Sequence, residues 1–471
     1  MSGVKDSAGN AAAGTGWNGI FRGEYLFRIL VLASAVALHA VNLYLSTTLL
    51  PAVVADVGGM PYYAWNTSLF VVASVLGAVM AAPILEKHGP RAACIRAAAV
   101  FAAGSALCAL APSMAVMLCG RVLQGLGGGL LLALPYALVR SVFPPPLWPR
   151  VMALFSGMWG VATVLGPLLG GLHAGAGLWR LAFWMVVLGA AAFAAGAGLA
   201  LPRATRAPMA IPSLPWRQLV LLLCAVLVAS VAGVLPFPWS VPCLGLAAML
   251  AWALVRTESS ASRRLLPIGA FQLSGPLGAL YAVSALFAVT VTCTEAFVPL
   301  FLQALHGQSP LAAGFGAALL SAGWTVAAIF GSGASPARRR RFLAGAPFLS
   351  ALSMLSLAAL MPWPAGTGVM LLMCIALLAG GAAVGMVYPW LGAAVLREAP
   401  AGEQDLAASS LMTVQLCATA FGAAGAGLVM NLAAGIGSSV PDLGAAARWI
   451  FVLAAVAPLS TLPLRARLRL W

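Results

Sequence analysis

The chain has 471 residues, of which 62% are apolar and 7% charged, against about 25% charged in an ordinary soluble domain. So little polar surface excludes a soluble enzyme of this length, and a mean hydropathy of +1.01 fits a chain that crosses a membrane many times. The net charge of +15 comes in short clusters between apolar runs, which argues against a nucleic-acid interface and for the Lys/Arg bias of membrane loops.

Residues 1–25 read as a cytoplasmic tail, Gly/Ala/Asn-rich and disordered over its first 20 positions. The run that follows is too long for the core of a signal peptide and reads as an uncleaved first span. About fourteen runs of spanning length are present, near 26–50, 65–85, 93–111, 114–140, 151–174, 179–201, 218–235, 239–256, 276–303, 311–332, 342–361, 367–396, 406–432 and 447–465. Each is close to the roughly 20 residues that a helix needs to cross hydrocarbon. With the N-terminus placed in the cytoplasm, 22 of the 25 Lys and Arg fall on the cytoplasmic side, Arg338 to Arg341 among them. Only Arg180 and Arg448 fall outside, and Arg121 lies within a span. That asymmetry predicts an even number of crossings, both termini cytoplasmic and a multi-pass protein of the cell (inner) membrane. The expected fold is an all-α membrane protein grouped as 6+2+6: a bundle over 26–202, a linker with two extra spans over 203–275, and a second bundle with a short tail over 276–471.

Polar groups inside the spans are few. In the first span His39, Asn42 and Ser46 share one helical face and suit a cavity lining; His39 either titrates or stays neutral and hydrogen-bonded. After the second span, Glu86, Lys87, His88, Gly89, Pro90 and Arg91 form a tight charged turn, in which a carboxylate beside cations makes a breakable latch or an ordinary solvated loop. The fourth span carries Arg121, Gln124, Gly125 and Gly129. An arginine there must face a partner or water, or snorkel, while the glycines form a small-xxx-small packing face. The fifth span holds Gly166, Pro167, Gly170 and Gly171, a kink that also allows close approach. In the ninth span Tyr281, Ser284, Ala288, Thr292, Glu295 and Pro299 fall within about 80° of one another, with Gln303 just beyond. This polar stripe should avoid lipid, and its carboxyl can bind a proton, bind a cationic solute or serve a structural bond. Gln124, Tyr136, Trp159, Trp324, Tyr388, Trp390 and Gln415 are weaker cavity candidates, each as readily a packing residue. Trp65 and Trp179 read as interfacial anchors. In the twelfth span Gly380, Gly381 and Gly385, followed by Pro389, read as packing and bending positions. The eight cysteines lie in or beside apolar runs without a C-x-x-C pair and read as small packing residues.

Several of these stretches, in order, resemble the major facilitator superfamily. Ala82 to Arg91 is similar to its G-x-L-a-D-r-x-G-r-k loop, with Glu86, Gly89 and Arg91 in place but Ala82 and Pro90 departing. Arg121 to Gly127 resembles R-x-x-q-G-x-g, and Gly166 to Gly171 resembles the exporter signature G-P-x-x-G-G. Further stretches resemble the 14-span drug:proton antiporter branch: Leu49-Leu50-Pro51 leading to Asp56, Trp179-Arg180 with Phe183, and Val298 to Gln303 ahead of Gly307-Gln308-Ser309-Pro310. The branch's acidic position in the first span is Asn42 here, which cannot carry a proton. The resemblance implies a loop latch at Glu86, Gly89 and Arg91, a buried cation at Arg121 that influences a protonation site, and an exporter-type kink at Gly166, Pro167, Gly170 and Gly171.

The reading that joins these expectations is a secondary active transporter that exports amphipathic solutes or drugs by alternating access between its halves. Proton coupling would involve Glu295, Arg121 and His39. The substrate cavity would include Asn42, Ser46, Gln124, Tyr281, Ser284, Thr292, Tyr388 and Gln415. An importer or uniporter of a metabolite, or a sensor or scaffold on the same fold, are the alternatives. No catalytic constellation, nucleotide loop, metal cluster or cofactor motif is present in the sequence. The expected partners are a small-molecule substrate, protons and membrane lipid, with the chain acting as a monomer.

Overall fold

The computed structural model describes residues 23–467 except 145–146, 204–214, 236–237, 262–263, 333–335, 401–402 and 434–441. The N-terminal tail through 22 and most of the linker stretch before Trp216, with Arg206, lie outside the described residues. Apolar runs with no water to satisfy their backbone must close their hydrogen bonds internally, and α-helix is the form that does so within one segment. The described chain accordingly forms α1 (Gly23–Val57), α2 (Trp65–Ala109), α3 (Met114–Val142), α4 (Trp148–Gly175), α5 (Trp179–Ala200), α6 (Trp216–Val234) and α7 (Ser240–Ser260). It continues through α8 (Pro276–Ala304), α9 (Pro310–Ser332), α10 (Pro336–Leu360), α11 (Thr367–Glu398), α12 (Gln404–Leu432) and α13 (Leu443–Leu459).

The α2 helix is two arms. Gly89 sits at φ 75°, ψ 170° inside it, a left-handed backbone that only glycine adopts cheaply. Gly125 of α3 backs onto Phe70, and Gly127, two residues on, backs onto Phe101. Phe70 and Phe101 can meet neighbouring positions of one helix only if α2 folds back at Gly89.

By length and apolarity, 12 segments can cross a membrane among the described residues, not the fourteen expected. The difference has two sources. The expected spans at 65–85 and 93–111 fall in one continuous stretch, Met60–Ala109, because the turn at Gly89 is too tight to interrupt the helix. The expected span at 151–174 corresponds to α4 (Trp148–Gly175), which is helical throughout but contains side chains outside the description.

One packing device occurs in both halves. Gly125 and Gly129 of α3 press on the backbone at Phe70 and Ser74 of α2. Gly381 and Gly385 of α11 press on the backbone at Leu320 and Trp324 of α9. In each case two glycines four apart meet two residues four apart, the small-xxx-small contact that lets helices approach where lipid offers no hydrophobic drive. Of the extra pair, α6 packs into a cluster in which Leu222 and Val226 meet Phe70, Val72 and Val75 of α2 and Ala420 of α12. Its neighbour α7 is peripheral, with Trp239, Met249 and Trp252 exposed.

The two halves touch near one face and part toward the other. Gly171 at the end of α4 backs onto Leu311 at the start of α9, and a Cβ on Gly314 would lie 2.8 Å from Thr48 and 3.0 Å from Pro167. Tyr63 donates to the Ala296 carbonyl at 3.3 Å, and Asn431 donates to the Pro61 carbonyl at 2.9 Å. One turn and more away, the same helical faces are free. Gly157, Gly160 and Val164 lie within roughly 40° of Gly171 around α4, yet Gly157 and Gly160 border open space and Val164 is 53% exposed. On α9, Ala322 and Thr325 lie within roughly 40° of Leu311 and are exposed. The divergence opens a vestibule toward the face that carries the Gly89 turn and Arg338 to Arg341. That face is called basic below, and the closed one far.

Candidate functional site

Two polar clusters occupy the apolar interior, one in each half, and α1 touches both. In the first half Arg121 is 1% exposed. Its Nε donates to the Asn66 carbonyl at 3.2 Å, and its Nη1 donates to Ser46 Oγ at 3.0 Å and to Gln124 Oε1. Gln124 Nε2 in turn donates to Asn42 Oδ1 at 2.9 Å and to Ser105 Oγ at 2.8 Å. The guanidinium lies 4.1 Å from the centre of the Phe70 ring, a cation–π contact that is worth more once both groups leave water. His39 stacks on the Phe70 ring with centroids 5.5 Å apart and meets Trp159 edge-on at 6.2 Å. The shared face of His39, Asn42 and Ser46 is therefore turned toward Arg121.

The opposite face of α1 reaches the second half. Glu295 on α8 accepts from Ser321 Oγ of α9 at 2.7 Å and from the Tyr44 hydroxyl at 3.5 Å, while Tyr44 and Ser321 lie 3.3 Å apart. Tyr44 is two positions from both Asn42 and Ser46, roughly 200° around the helix, so neighbouring residues of α1 contact Arg121 on one side and Glu295 on the other. Elsewhere on the α8 stripe, Tyr281 contacts Ser410 Oγ at 2.6 Å and donates to the Ala407 carbonyl at 3.2 Å. Ser284 accepts from Tyr388 through its carbonyl at 3.0 Å and from Gln415 through its hydroxyl at 3.4 Å. Trp324 packs on Tyr388 with ring centres 4.8 Å apart. Thr292 is buried, and Gln303 Nε2 is buried without a partner among the described residues.

The expected exporter-type kink is where the halves meet. Gly166 backs onto Tyr44 and Leu45, Gly170 onto Leu45 and Thr48, and Gly171 onto Leu311, so this stretch of α4 packs closely against α1 and α9 at once. At the turn, Glu86 is exposed and has no hydrogen-bond or ion-pair partner among the described residues. Arg91 lies beside Gly198 of α5. The residues of the expected latch thus lie on the face where the vestibule is open, with Glu86 unpaired among the described residues.

Several contacts had no sequence signal that paired them. Tyr44, Ser321, Asn66 and Ser105 are ordinary residues within apolar runs, and only the helix register makes them partners of Glu295, Arg121 and Gln124. Trp179, expected as an interfacial anchor, is buried and donates to Asp56 at 3.2 Å. Arg180 pairs with the same carboxylate at 2.5 Å and donates to the Ala111 carbonyl at 3.1 Å. Trp65 is half-buried, and its ring N–H donates to the Ser230 carbonyl at 3.0 Å. Among the described residues no group of three metal-ligating side chains converges.

The sequence profile of the Major Facilitator Superfamily matches residues 32–423. A Mycobacterium tuberculosis protein named a probable multidrug-efflux transporter is 38% identical over 421 residues, covering 88% of this chain and 89% of that one. The tetracenomycin C resistance and export protein of Streptomyces glaucescens is 31% identical over 297 residues, covering 59% of this chain and 54% of that protein. The crystal structure of a bacterial homologue of the human lysosomal transporter Spinster, inward-facing and unoccupied, covers 94% of this chain and 95% of its own at a TM-score of 0.62 and 16% identity.

Proposed function

The chain belongs to the major facilitator superfamily, and from that premise we propose that it is a proton-coupled exporter of amphipathic organic solutes, drugs among them, seen open to the cytoplasm. The observation that carries this reading is the position of Glu295. It is an acid at membrane depth, held between the two halves by Ser321 of its own half and Tyr44 of the other. A group that can bind a proton, placed where the halves meet, can make their contact depend on its charge. The names of the relatives support efflux of drug-like compounds, and the exporter-type kink at Gly166, Pro167, Gly170 and Gly171 supports the direction.

The topology follows the same line. Counting the arms of α2 separately and α4 as a span gives fourteen crossings, six in each half and α6 with α7 between them. The paired glycine contacts of α3 and α11 support the division into 26–202 and 276–471 around the insertion 203–275. The Lys/Arg bias then places both termini in the cytoplasm and the protein in the cell (inner) membrane. Glu86, Gly89 and Arg91 act as the latch that engages when the basic face closes.

Flux of an amphipathic fluorescent dye by purified protein in liposomes tests the coupling. Transport should accelerate when a pH gradient is imposed with the acidic side at the far face. A rate that ignores the gradient would remove proton coupling from the account.

A further inference from the structure

Among the described residues no acidic side chain pairs with Arg121. Among the described side chains, Asp56 is taken by Arg180 and Trp179, and Glu295 by Ser321 and Tyr44. Glu258 accepts the backbone amides of Leu265 and Leu266, Glu403 that of Ile268, and Asp442 those of Gly444 and Ala445. Glu86 and Glu398 lie on helix ends at the basic face. Arg121 meets only neutral oxygens and an aromatic ring, and no hydrogen bond among the described residues engages its Nη2.

Unmet polar atoms lie in the network of that cation. Among the described residues Asn42 Nδ2 is buried with no acceptor, and the Asn66 amide is buried with both Nδ2 and Oδ1 unpaired. Both residues are linked to Arg121: Asn66 takes its Nε on the backbone carbonyl, and Asn42 is one link away through Gln124. A buried cation without an anion and buried amide N–H groups without acceptors are each costly. One ligand group answers both, a planar carboxylate with two acceptor oxygens, which guanidinium and amide donors match well. Beside the charge lie the aromatic rings of Phe70, His39 and Trp159. Trp159 adjoins Gly160, which borders the open vestibule.

We propose that Arg121, Asn42 and Asn66 form the recognition site for a carboxylate on the transported solute, so that the preferred substrates are amphipathic aromatic acids rather than amphipathic cations. The aromatic body would rest against Trp159, the half-buried ring of this group, after entry from the vestibule. This inference rests on the transporter reading and adds the substrate class to it.

Binding to the full chain in lipid nanodiscs tests it without any gradient. The probes are naphthaleneacetate, its neutral amide naphthaleneacetamide and the cation naphthylethylamine, with affinity read by calorimetry. The acid should bind about tenfold or more tightly than the other two, as expected when a charge-assisted bidentate pair is gained. Arg121→Gln should erase that preference. Because the loss of a buried arginine can disturb folding, Asn42→Ala and Asn66→Ala provide a second test. Each keeps the charge and should weaken the acid about tenfold, as loss of one hydrogen bond to a charged group predicts, and the neutral amide by less. Equal binding of the three probes, preference for the amine, or an acid preference undiminished in both asparagine variants would overturn the proposal. An acid preference without pH-driven flux would remove coupling and keep the site, and pH-driven flux without the preference would remove the site alone.

Discussion

In the proposed mechanism Glu295 is the side chain on which the coupling turns, and two substitutions separate its roles. Glu295→Gln keeps an oxygen for Ser321 and Tyr44 but cannot titrate, so flux under a pH gradient should fall to the gradient-free rate. Wild-type stimulation in that variant would exclude Glu295 as the coupling group. Tyr44→Phe removes one hydrogen bond across the halves, worth about 0.5–1.5 kcal/mol. That should shift the balance between open and closed states roughly two- to tenfold, read as a lower gradient-driven rate with equilibrium exchange retained. Unchanged gradient-driven transport would make the contact incidental. Glu295 was legible in the sequence because an acid on a helical polar stripe stands out in an apolar span. Tyr44 and Ser321 were not, because their meeting depends on the register and tilt of α1, α8 and α9. The same holds for Asp56 and Arg180, each visible as a charge near a span end, neither visible as a pair.

Among elements, the glycine-paired contacts between α3 and α2 and between α11 and α9 set how closely the helices approach. A side chain at Gly129 would meet the Ser74 backbone, and one at Gly381 the Leu320 backbone. Since backbone cannot yield as a flexible side chain can, Gly129→Val should cost about 1–3 kcal/mol or more. It should appear as a lower melting temperature in detergent, with Gly157→Val, which faces open space, as the neutral control. Equal melting of the two variants would show that the close approach is not stabilising. Helix identity was largely legible here, because twenty apolar residues in a membrane have few alternatives, and so was the small-xxx-small face. The continuity of α2 was not. Gly89 and Pro90 read as a loop between spans, but Pro90 has the φ of a helix start and carries no amide to satisfy, so the second arm begins at once.

For the whole molecule, the contacts among Thr48, Pro167, Leu311 and Gly314 hold the far face shut while the vestibule stays open to the basic face. That arrangement follows from which faces of α4 and α9 converge, a property of two bundles packed together that the hydrophobic pattern of either helix does not encode. The far face must open if the halves alternate. A Cβ at position 314 would lie 2.8 Å from Thr48 Cγ2, within the reach of a disulfide from position 48. The most direct measurement is therefore transport by a Thr48→Cys/Gly314→Cys variant in a background lacking the eight native cysteines. Oxidation should stop pH-driven flux and reductant should restore it. Undiminished flux with the cross-link fully formed would contradict alternating access through this face.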